Sequence, residues 1–253
     1  MKRDQIGVQM YTLREMAAKD LDAALGAVAK MGYTGVEFAG FQGHSAAEVR
    51  QMLDRYKLKA FSAHIPADQF ANDIESVVSD LQTIGAPWGI VPWVHPDNRN
   101  EAYMRTLGEN MNAWASRLKD AGISFGYHNH DFEFTTTMAD GETLFQTLVN
   151  ITDPSLVFFE LDAFWASVGG YEPDQVIRNH ADRIRLVHLK DASKENPRKD
   201  VPVGEGVLDW GAILSAARQA GVAYYITEQD NPNPDDPQGD VATALRNAEK
   251  MAD

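Results

Sequence analysis

The chain alternates short apolar segments with longer segments in which apolar residues recur every third or fourth position. Short apolar runs predict strands, and the helical period predicts amphipathic helices. The eight predicted strands contain, in chain order, QIGVQMY, TGVEFA, LKAFSAH, WGIVPWV, ISFGYHNH, LVFFELD, IRLVHLK and YYITEQD. The eight predicted helices contain DLDAALGAVAKMG, SAAEVRQMLDRYK, DQFANDIESVVSDLQTIG, EAYMRTLGENMNAWASRLKDAG, ETLFQTLVN, PDQVIRNHAD, DWGAILSAARQAG and DVATALRNAEKM.

This regular alternation over 253 residues is typical of a (β/α)8 TIM barrel. Several helices end in glycine directly before a strand, as in MGYTGVE and AGISFGYH, where glycine suits the left-handed helix cap. A doubly wound open sheet is the alternative, but the first strand lacks the Gly-rich dinucleotide fingerprint. No linker interrupts the pattern, so we predict one barrel domain over residues 1–253, with NPNPDDPQGD as a loop before the last helix.

The predicted strand ends carry a concentration of polar and aromatic residues. Active sites of TIM barrels lie at the carboxyl ends of the strands, so we expect these side chains to share one face of the barrel. They are Gln9, Tyr11, Glu37, His64, Trp93, His128, His130, Asp162, His188, Lys190 and Glu228.

Three of the last strands place ionisable groups on their inward faces. Side chains alternate along a strand, so Glu160 and Asp162 share one face of LVFFELD, and His188 and Lys190 share one face of IRLVHLK. Asp162, His188 and Glu228 therefore converge from three successive strands. Two carboxylates and one imidazole suit one divalent cation such as Mn²⁺, Mg²⁺, Co²⁺ or Zn²⁺.

Composition and charge narrow the classes of partner. The chain has no cysteine, which excludes disulfides and thiolate metal ligands. Its formal net charge of −14 opposes binding to a nucleic-acid backbone. It shows neither a membrane-spanning apolar stretch nor a secretory leader, so we expect a soluble, cytoplasmic protein without a membrane partner. A small-molecule ligand is the expected partner, and the sequence leaves open whether the chain forms a homo-oligomer.

Six motifs, spread in order over essentially the whole chain, resemble the sugar phosphate isomerase/epimerase family of xylose isomerase-like barrels. They are IGVQMYTLRE, GYHNHDFEF, FFELDAFW, VHLKD, VGEGVLDW and ITEQDNP. The superfamily is also similar to inosose isomerases and dehydratases, ketose 3-epimerases and endonuclease IV. Endonuclease relatives with several metals use more histidines than the seven present here, and a frequent histidine position is occupied by Trp165. We therefore expect one metal ion and no role in DNA repair.

The resemblance implies that a Glu, Asp, His, Glu quartet from the last four strands holds the ion. Asp162, His188 and Glu228 match the last three members. Glu133 is the favoured first ligand because relatives carry a carboxylate at that rim. His128 competes with it, because strict alternation places His128 at the end of the fifth strand.

We expect a metal-dependent isomerase or epimerase that removes a proton α to a carbonyl of a sugar or keto-sugar. His130, with His128 as its competitor, is the expected base, and Lys190 would stabilise the developing oxyanion. A dehydratase or lyase that eliminates a β-substituent from a 3-keto sugar, glycoside or inosose is the alternative, and a non-catalytic sugar-binding barrel is a further one. The glycines of VGEGVLDW would allow close approach to a ligand. Residues expected to line the sugar pocket are Gln9, Tyr11, Glu37, His64, Trp93, Trp165 and Glu205.

Overall fold

Eight parallel strands close on themselves in the computed structural model, which describes residues 1–252. The strands are β1 Ile6–Gln9, β2 Gly35–Ala39, β3 Lys59–His64, β4 Trp88–Val91, β5 Ser124–His128, β6 Val157–Asp162, β7 Ile184–Ala192, β8 Asp200–Pro202 and β9 Tyr224–Thr227. Neighbouring strands of the barrel pair in the order β6-β5-β4-β3-β2-β1-β9-β7, and a pairing of β6 with β7 completes the ring. This confirms the predicted TIM barrel.

Helices surround this barrel, and each predicted amphipathic segment overlaps at least one of them. They are α1 Arg14–Lys19, α2 Leu21–Met31, α3 Ala46–Tyr56, α4 Ala67–Asn72, α5 Ile74–Ile84, α6 Glu101–Asp120, α7 Phe132–Thr135, α8 Leu144–Ile151, α9 Ala163–Val168, α10 Pro173–Asn179, α11 Trp210–Ala220 and α12 Pro237–Lys250. The short helices α1, α7 and α9 lie in loops that follow strands. Within residues 1–252, no helix has the length and apolar character needed to cross a bilayer.

The segment DQFANDIESVVSDLQTIG forms two helices rather than the single predicted one. Asp73 separates α4 from α5 and has a non-helical backbone with φ −153°. Its carboxylate accepts a hydrogen bond from the amide of Ser76 at 3.1 Å, which caps the start of α5. Aspartate can replace a helical hydrogen bond with such a cap, so an apolar period that continues through it does not ensure one helix.

Strand register sets the level of the inward side chains. Asp162 of β6 pairs with His188 of β7, and His128 of β5 pairs with Glu160 of β6. The outward neighbours Leu161 and Val187 are fully buried beneath the helices. Opposite faces of the same strands therefore build the apolar core and the polar interior, as side-chain alternation requires.

Strand β7 continues past the predicted segment and forms an antiparallel hairpin with β8, outside the barrel. Within this hairpin, Asp191 accepts hydrogen bonds from the amides of Gly204 and Leu208 and from the indole of Trp210. A Cβ atom on Gly206 would collide with the Asp191 carboxylate and the Ala192 carbonyl oxygen. Gly206 of VGEGVLDW therefore makes its close backbone approach to Asp191 and Ala192.

Candidate metal centre

The carboxyl ends of five barrel strands bring a set of imidazoles and carboxylates into the barrel interior. Each of these side chains is almost completely shielded from solvent. They form two overlapping groups of four donors, and within each group one donor atom per residue lies within 4.8 Å of the others. The first group is His128, Asp162, His188 and Glu228, and the second is His64, His128, Glu160 and His188.

His188 lies at the centre of both groups. Its Nδ1 is 2.9 Å from Glu228, and its Nε2 is 2.8 Å from Glu37 and 3.1 Å from Glu160. Burial opposes a charged imidazole here, but the carboxylates of Glu160, Glu228 and Glu37 raise the pKa of His188 well above its ordinary value. The surroundings of this imidazole therefore strongly favour a positive charge.

Glu160 belongs to the second donor group. Side-chain alternation predicts that it faces the barrel interior, but we assigned it no function from the sequence. Its Oε2 lies 2.7 Å from Nε2 of His64 and 3.1 Å from Nδ1 of His128. Its Oε1 is buried and has no hydrogen-bond partner among the described residues. The sequence feature that could have identified Glu160 as a site residue is its two-residue spacing to Asp162, which places both carboxylates on the inward face of β6.

Lys190 is completely buried and contacts three carboxylates. Its Nζ lies 2.9 Å from Asp162, 2.7 Å from Glu228 and 2.7 Å from Asp230. Burial disfavours its charge, but these carboxylates raise the pKa of Lys190 well above its ordinary value. The ammonium group is therefore held against the acidic side chains and does not line the large cavity described below.

A divalent cation fits this cluster in place of the protons on its imidazoles. Glu37, Glu160 and Asp162 are fully buried and Glu228 is 7% exposed, and without an ion Lys190, His64 and His188 offset their charge. Burial opposes a charged His64, but Glu37 and Glu160 raise the pKa of His64 to about 10. Burial raises the pKa of Asp162 to about 6, although Lys190 opposes the shift. Buried carboxylates need compensating charge. Mixed oxygen and imidazole donors are suited to a hard or borderline ion.

Glu133, the favoured first ligand, lies outside both donor groups. After His130 the chain turns into α7, so the Glu133 carboxylate points back toward its own loop. One oxygen accepts a hydrogen bond from the hydroxyl of Tyr127 at 2.5 Å, and the other accepts one from the amide of His130 at 2.8 Å. Burial raises the pKa of Glu133 to about 7. The competing candidate, His128, is the residue that the structure brings to Asp162, His188 and Glu228.

A cavity of about 860 Å³ opens above this cluster. Six of the residues predicted for the site line it: Tyr11, His64, Trp93, His128, His130 and Glu228. Asp230 also lines it and was not predicted.

Four of the residues predicted to line the sugar pocket do not line this cavity. Gln9 and Glu37 lie deeper, where the Gln9 amide donates a hydrogen bond to Glu37 at 2.7 Å. The indole of Trp165 packs on the ring of His130 with 5.5 Å between centroids. Glu205 lines a separate cavity beside β8. The large cavity is lined by side chains of strand ends, loops and the helices α4 and α5. Strand alternation does not distinguish the residues that reach the cavity from deeper residues of the same strands.

His130 lies beside His128, with 5.2 Å between the ring centroids. Its Nδ1 is buried and has no hydrogen-bond partner among the described residues. Burial, aided by the positive charge of Lys190, lowers the pKa of His130 to about 3. The surroundings therefore favour the neutral imidazole.

The closed (β/α)8 barrel thus gathers acid and imidazole donors that could hold a metal ion at the carboxyl ends of its strands, where TIM barrels carry their active sites. The sequence model of the xylose isomerase-like TIM barrel family matches residues 25–250. The chain belongs to this family, which confirms the resemblance seen in the sequence motifs.

Two sequence relatives are inosose dehydratases. The protein of Geobacillus kaustophilus (strain HTA426) is 24% identical over 193 residues, which cover 67% of this chain and 61% of that protein. The protein of Clostridium perfringens (strain 13 / Type A) is 28% identical over 152 residues, 53% of this chain and 50% of that one. The matches thus span between half and two thirds of the length of these relatives.

Solved structures share the fold. A sugar phosphate isomerase/epimerase from Parabacteroides distasonis ATCC 8503 has a TM-score of 0.85 at 23% identity, covering 100% of this chain and 95% of that one. A D-allulose 3-epimerase from Methylomonas sp. has a TM-score of 0.73 at 15% identity, covering 99% of both chains. At these identities the likeness concerns the fold alone.

Proposed function

We propose that the protein is an enzyme that uses one divalent metal ion to remove the proton α to a carbonyl group of a sugar or keto-sugar. The observation that carries this proposal is the first donor group, His128, Asp162, His188 and Glu228, with donor atoms within 4.8 Å of one another. Two of these residues, His128 and Glu228, also line the large cavity, so this group is accessible to a ligand.

These four side chains would hold the ion. When bound, the ion would polarise a substrate carbonyl and the hydroxyl beside it, which acidifies the neighbouring C–H bond. Lys190 does not line the cavity, so we assign it a positioning role in place of the expected contact with substrate oxygen. Its ammonium group holds the carboxylates of Asp162 and Glu228 in place.

We assign the proton transfer to His130. It lines the cavity, and its Nδ1 is not engaged by another described residue. In the transfer, the unprotonated nitrogen of the imidazole takes the α-proton, and the electron pair of the broken C–H bond moves toward the carbonyl oxygen. A positioned base of this kind typically supplies about 10²–10⁴-fold in rate.

Return of the proton to the other face or to the neighbouring carbon gives epimerisation or isomerisation. Elimination is the second candidate: the electron pair expels a β-substituent, which leaves with its bonding electrons and takes up a proton. The two inosose dehydratase relatives favour this candidate, because a dehydratase expels a hydroxyl group. Both outcomes begin with the same proton removal.

The test is proton exchange in D₂O, followed by NMR, on a panel of 2-keto and 3-keto sugars. We expect exchange with the protein loaded with Mn²⁺, Mg²⁺, Co²⁺ or Zn²⁺, and loss of exchange after chelation. His130→Ala should reduce exchange about 10²–10⁴-fold while elemental analysis shows unchanged metal content. Product spectra distinguish a new epimer or isomer from an unsaturated product.

Three results would count against these assignments. Exchange that persists at full rate after complete metal removal would contradict the metal-dependent reaction. Near-normal exchange in His130→Ala would assign the base elsewhere, with His128 as the next candidate. Sugar binding without exchange or product across the panel would leave the sugar-binding barrel as the better description.

A further inference from the structure

The large cavity has two chemically different ends. Its polar end contains the imidazoles of His64, His128 and His130 with the carboxylates of Glu228 and Asp230. The rest of the cavity extends along the loops after β2, β3 and β4 and along α4 and α5, and most of its lining is apolar. We call this second part the apolar arm; it is lined by Phe41, Ile65, Pro66, Val77, Leu81 and Trp93, and its polar side chains are His44, Gln69 and Asp80.

The size of the cavity exceeds what one sugar ring needs. Its volume of about 860 Å³ lies in the upper part of the range for pockets that enclose drug-sized ligands, roughly 300–1,000 Å³. A single sugar ring placed at the polar end would leave the arm unfilled. A polyol that extended into the arm would lose water from its hydroxyl groups without gaining enough partners, which is unfavourable.

The backbone of the loop after β2 keeps the arm open. Gly40 and Gly43 both line the cavity and have left-handed backbones, with φ of 76° and 85°. A Cβ atom on either glycine would meet nothing within 4 Å. At the rim, the Trp93 side chain is 43% exposed, so an aromatic surface is available next to the opening.

We propose that the ligand carries a second ring joined to the reacting sugar, and that this ring binds in the apolar arm. The ring has at least one apolar face, as an aryl aglycone has, or as a second sugar has on its C–H side. This inference rests on the proposed function for the placement of the reacting ring. It names the substrate class as glycosides, in which the second ring is the substituent of the sugar.

The test is calorimetric binding of glycosides that lack a keto group and therefore cannot react. Methyl, phenyl and glucosyl β-glycosides of glucose, galactose and xylose are titrated into the metal-loaded protein. The phenyl or the glucosyl compound should bind about tenfold tighter or more than the methyl compound, because its second ring buries apolar surface. A gain for the phenyl series alone identifies an aryl aglycone, and a gain for the glucosyl series identifies a second sugar.

Two matched variants test whether the gain in affinity comes from binding of the second ring in the apolar arm. Gln69 lines the arm and is exposed on α4, so Gln69→Trp should fill the arm and remove the preference while methyl glycosides bind as before. The neighbouring Asp68 is exposed and does not line the cavity, so Asp68→Trp should keep the preference.

Equal affinity for methyl, phenyl and glucosyl compounds in every sugar series, or a preference that survives Gln69→Trp, would overturn the assignment of the arm. Metal-dependent exchange on free keto-sugars is measured separately. Exchange without a second-ring preference therefore refutes the arm alone, and a second-ring preference without exchange refutes the proposed reaction alone.

Discussion

At the scale of single residues, the identity of the first metal ligand decides how the site works. Glu133 is bound to Tyr127 and to the amide of His130, whereas His128 lies with Asp162, His188 and Glu228. An imidazole in the first position would leave the ion with two carboxylates in place of three. The bound ion would then keep more net positive charge with which to polarise a carbonyl.

We predict that His128→Ala lowers metal affinity at least tenfold, about 1.4 kcal/mol, and that Glu133→Gln leaves the affinity unchanged. Metal retained after equilibrium dialysis and elemental analysis is the measurement. Glu133→Gln is the matched control, because it changes a buried polar residue of the same loop without removing a donor from the cluster. Metal loss in Glu133→Gln with retention in His128→Ala would reverse the assignment and require the loop of residues 129–133 to rearrange.

At the scale of elements, the hairpin of β7 and β8 stabilises the rim of the barrel. Asp191 ties the turn of residues 203–210 to β7, and Asp200 of β8 accepts a hydrogen bond from the amide of Asp230 at 2.6 Å. Asp230 in turn contacts Lys190. The hairpin therefore supports the cluster from outside without contributing a donor to it.

Gly206→Ala tests how tightly this hairpin is packed. The added methyl group would collide with the Asp191 carboxylate and the Ala192 carbonyl oxygen, so we expect a loss of about 1–3 kcal/mol of stability. Gly126→Ala in β5 is the control, because its Cβ atom would make ordinary contacts of 3.4 Å or more. Thermal denaturation should show a lower Tm for Gly206→Ala alone, and equal Tm values would contradict the tight packing.

The element scale also shows what the sequence could predict. The short apolar runs predict all eight barrel strands. Side-chain alternation then predicts that Asp162, His188 and Glu228 converge, because a side chain in a strand can point only to one of two faces. The position of Glu133 depends on where the chain turns after β5, and that turn is set by tertiary contacts of α7. One partner of Lys190 is Asp230, which is 40 residues further along the chain, whereas the adjacent Asp191 accepts hydrogen bonds from the segment after β8. Contacts between residues far apart in the chain produce no periodic pattern in the sequence, so the sequence does not predict them.

At the scale of the whole molecule, the buried acidic cluster should couple metal binding to stability. An ion that binds the folded chain and not the unfolded one stabilises by about 2.7 kcal/mol at a hundredfold excess over Kd. We expect chelation to lower the Tm by several degrees and metal addition to restore it. Asp162→Ala, which removes one donor, should show no such response. A wild-type Tm that is identical with and without metal would argue against an ion at this cluster.

The two ends of the large cavity are built from different parts of the chain. Apart from His64, the donors and the proposed base come from residues 128–228, whereas the apolar arm is built from residues 41–93. Chemistry and ligand choice are therefore encoded in different halves of the polypeptide. Loops of the first half can diverge in length and composition without disturbing the reacting groups. A lineage with this arrangement can acquire new substrates by exchanging rim segments while the same reaction is inherited unchanged.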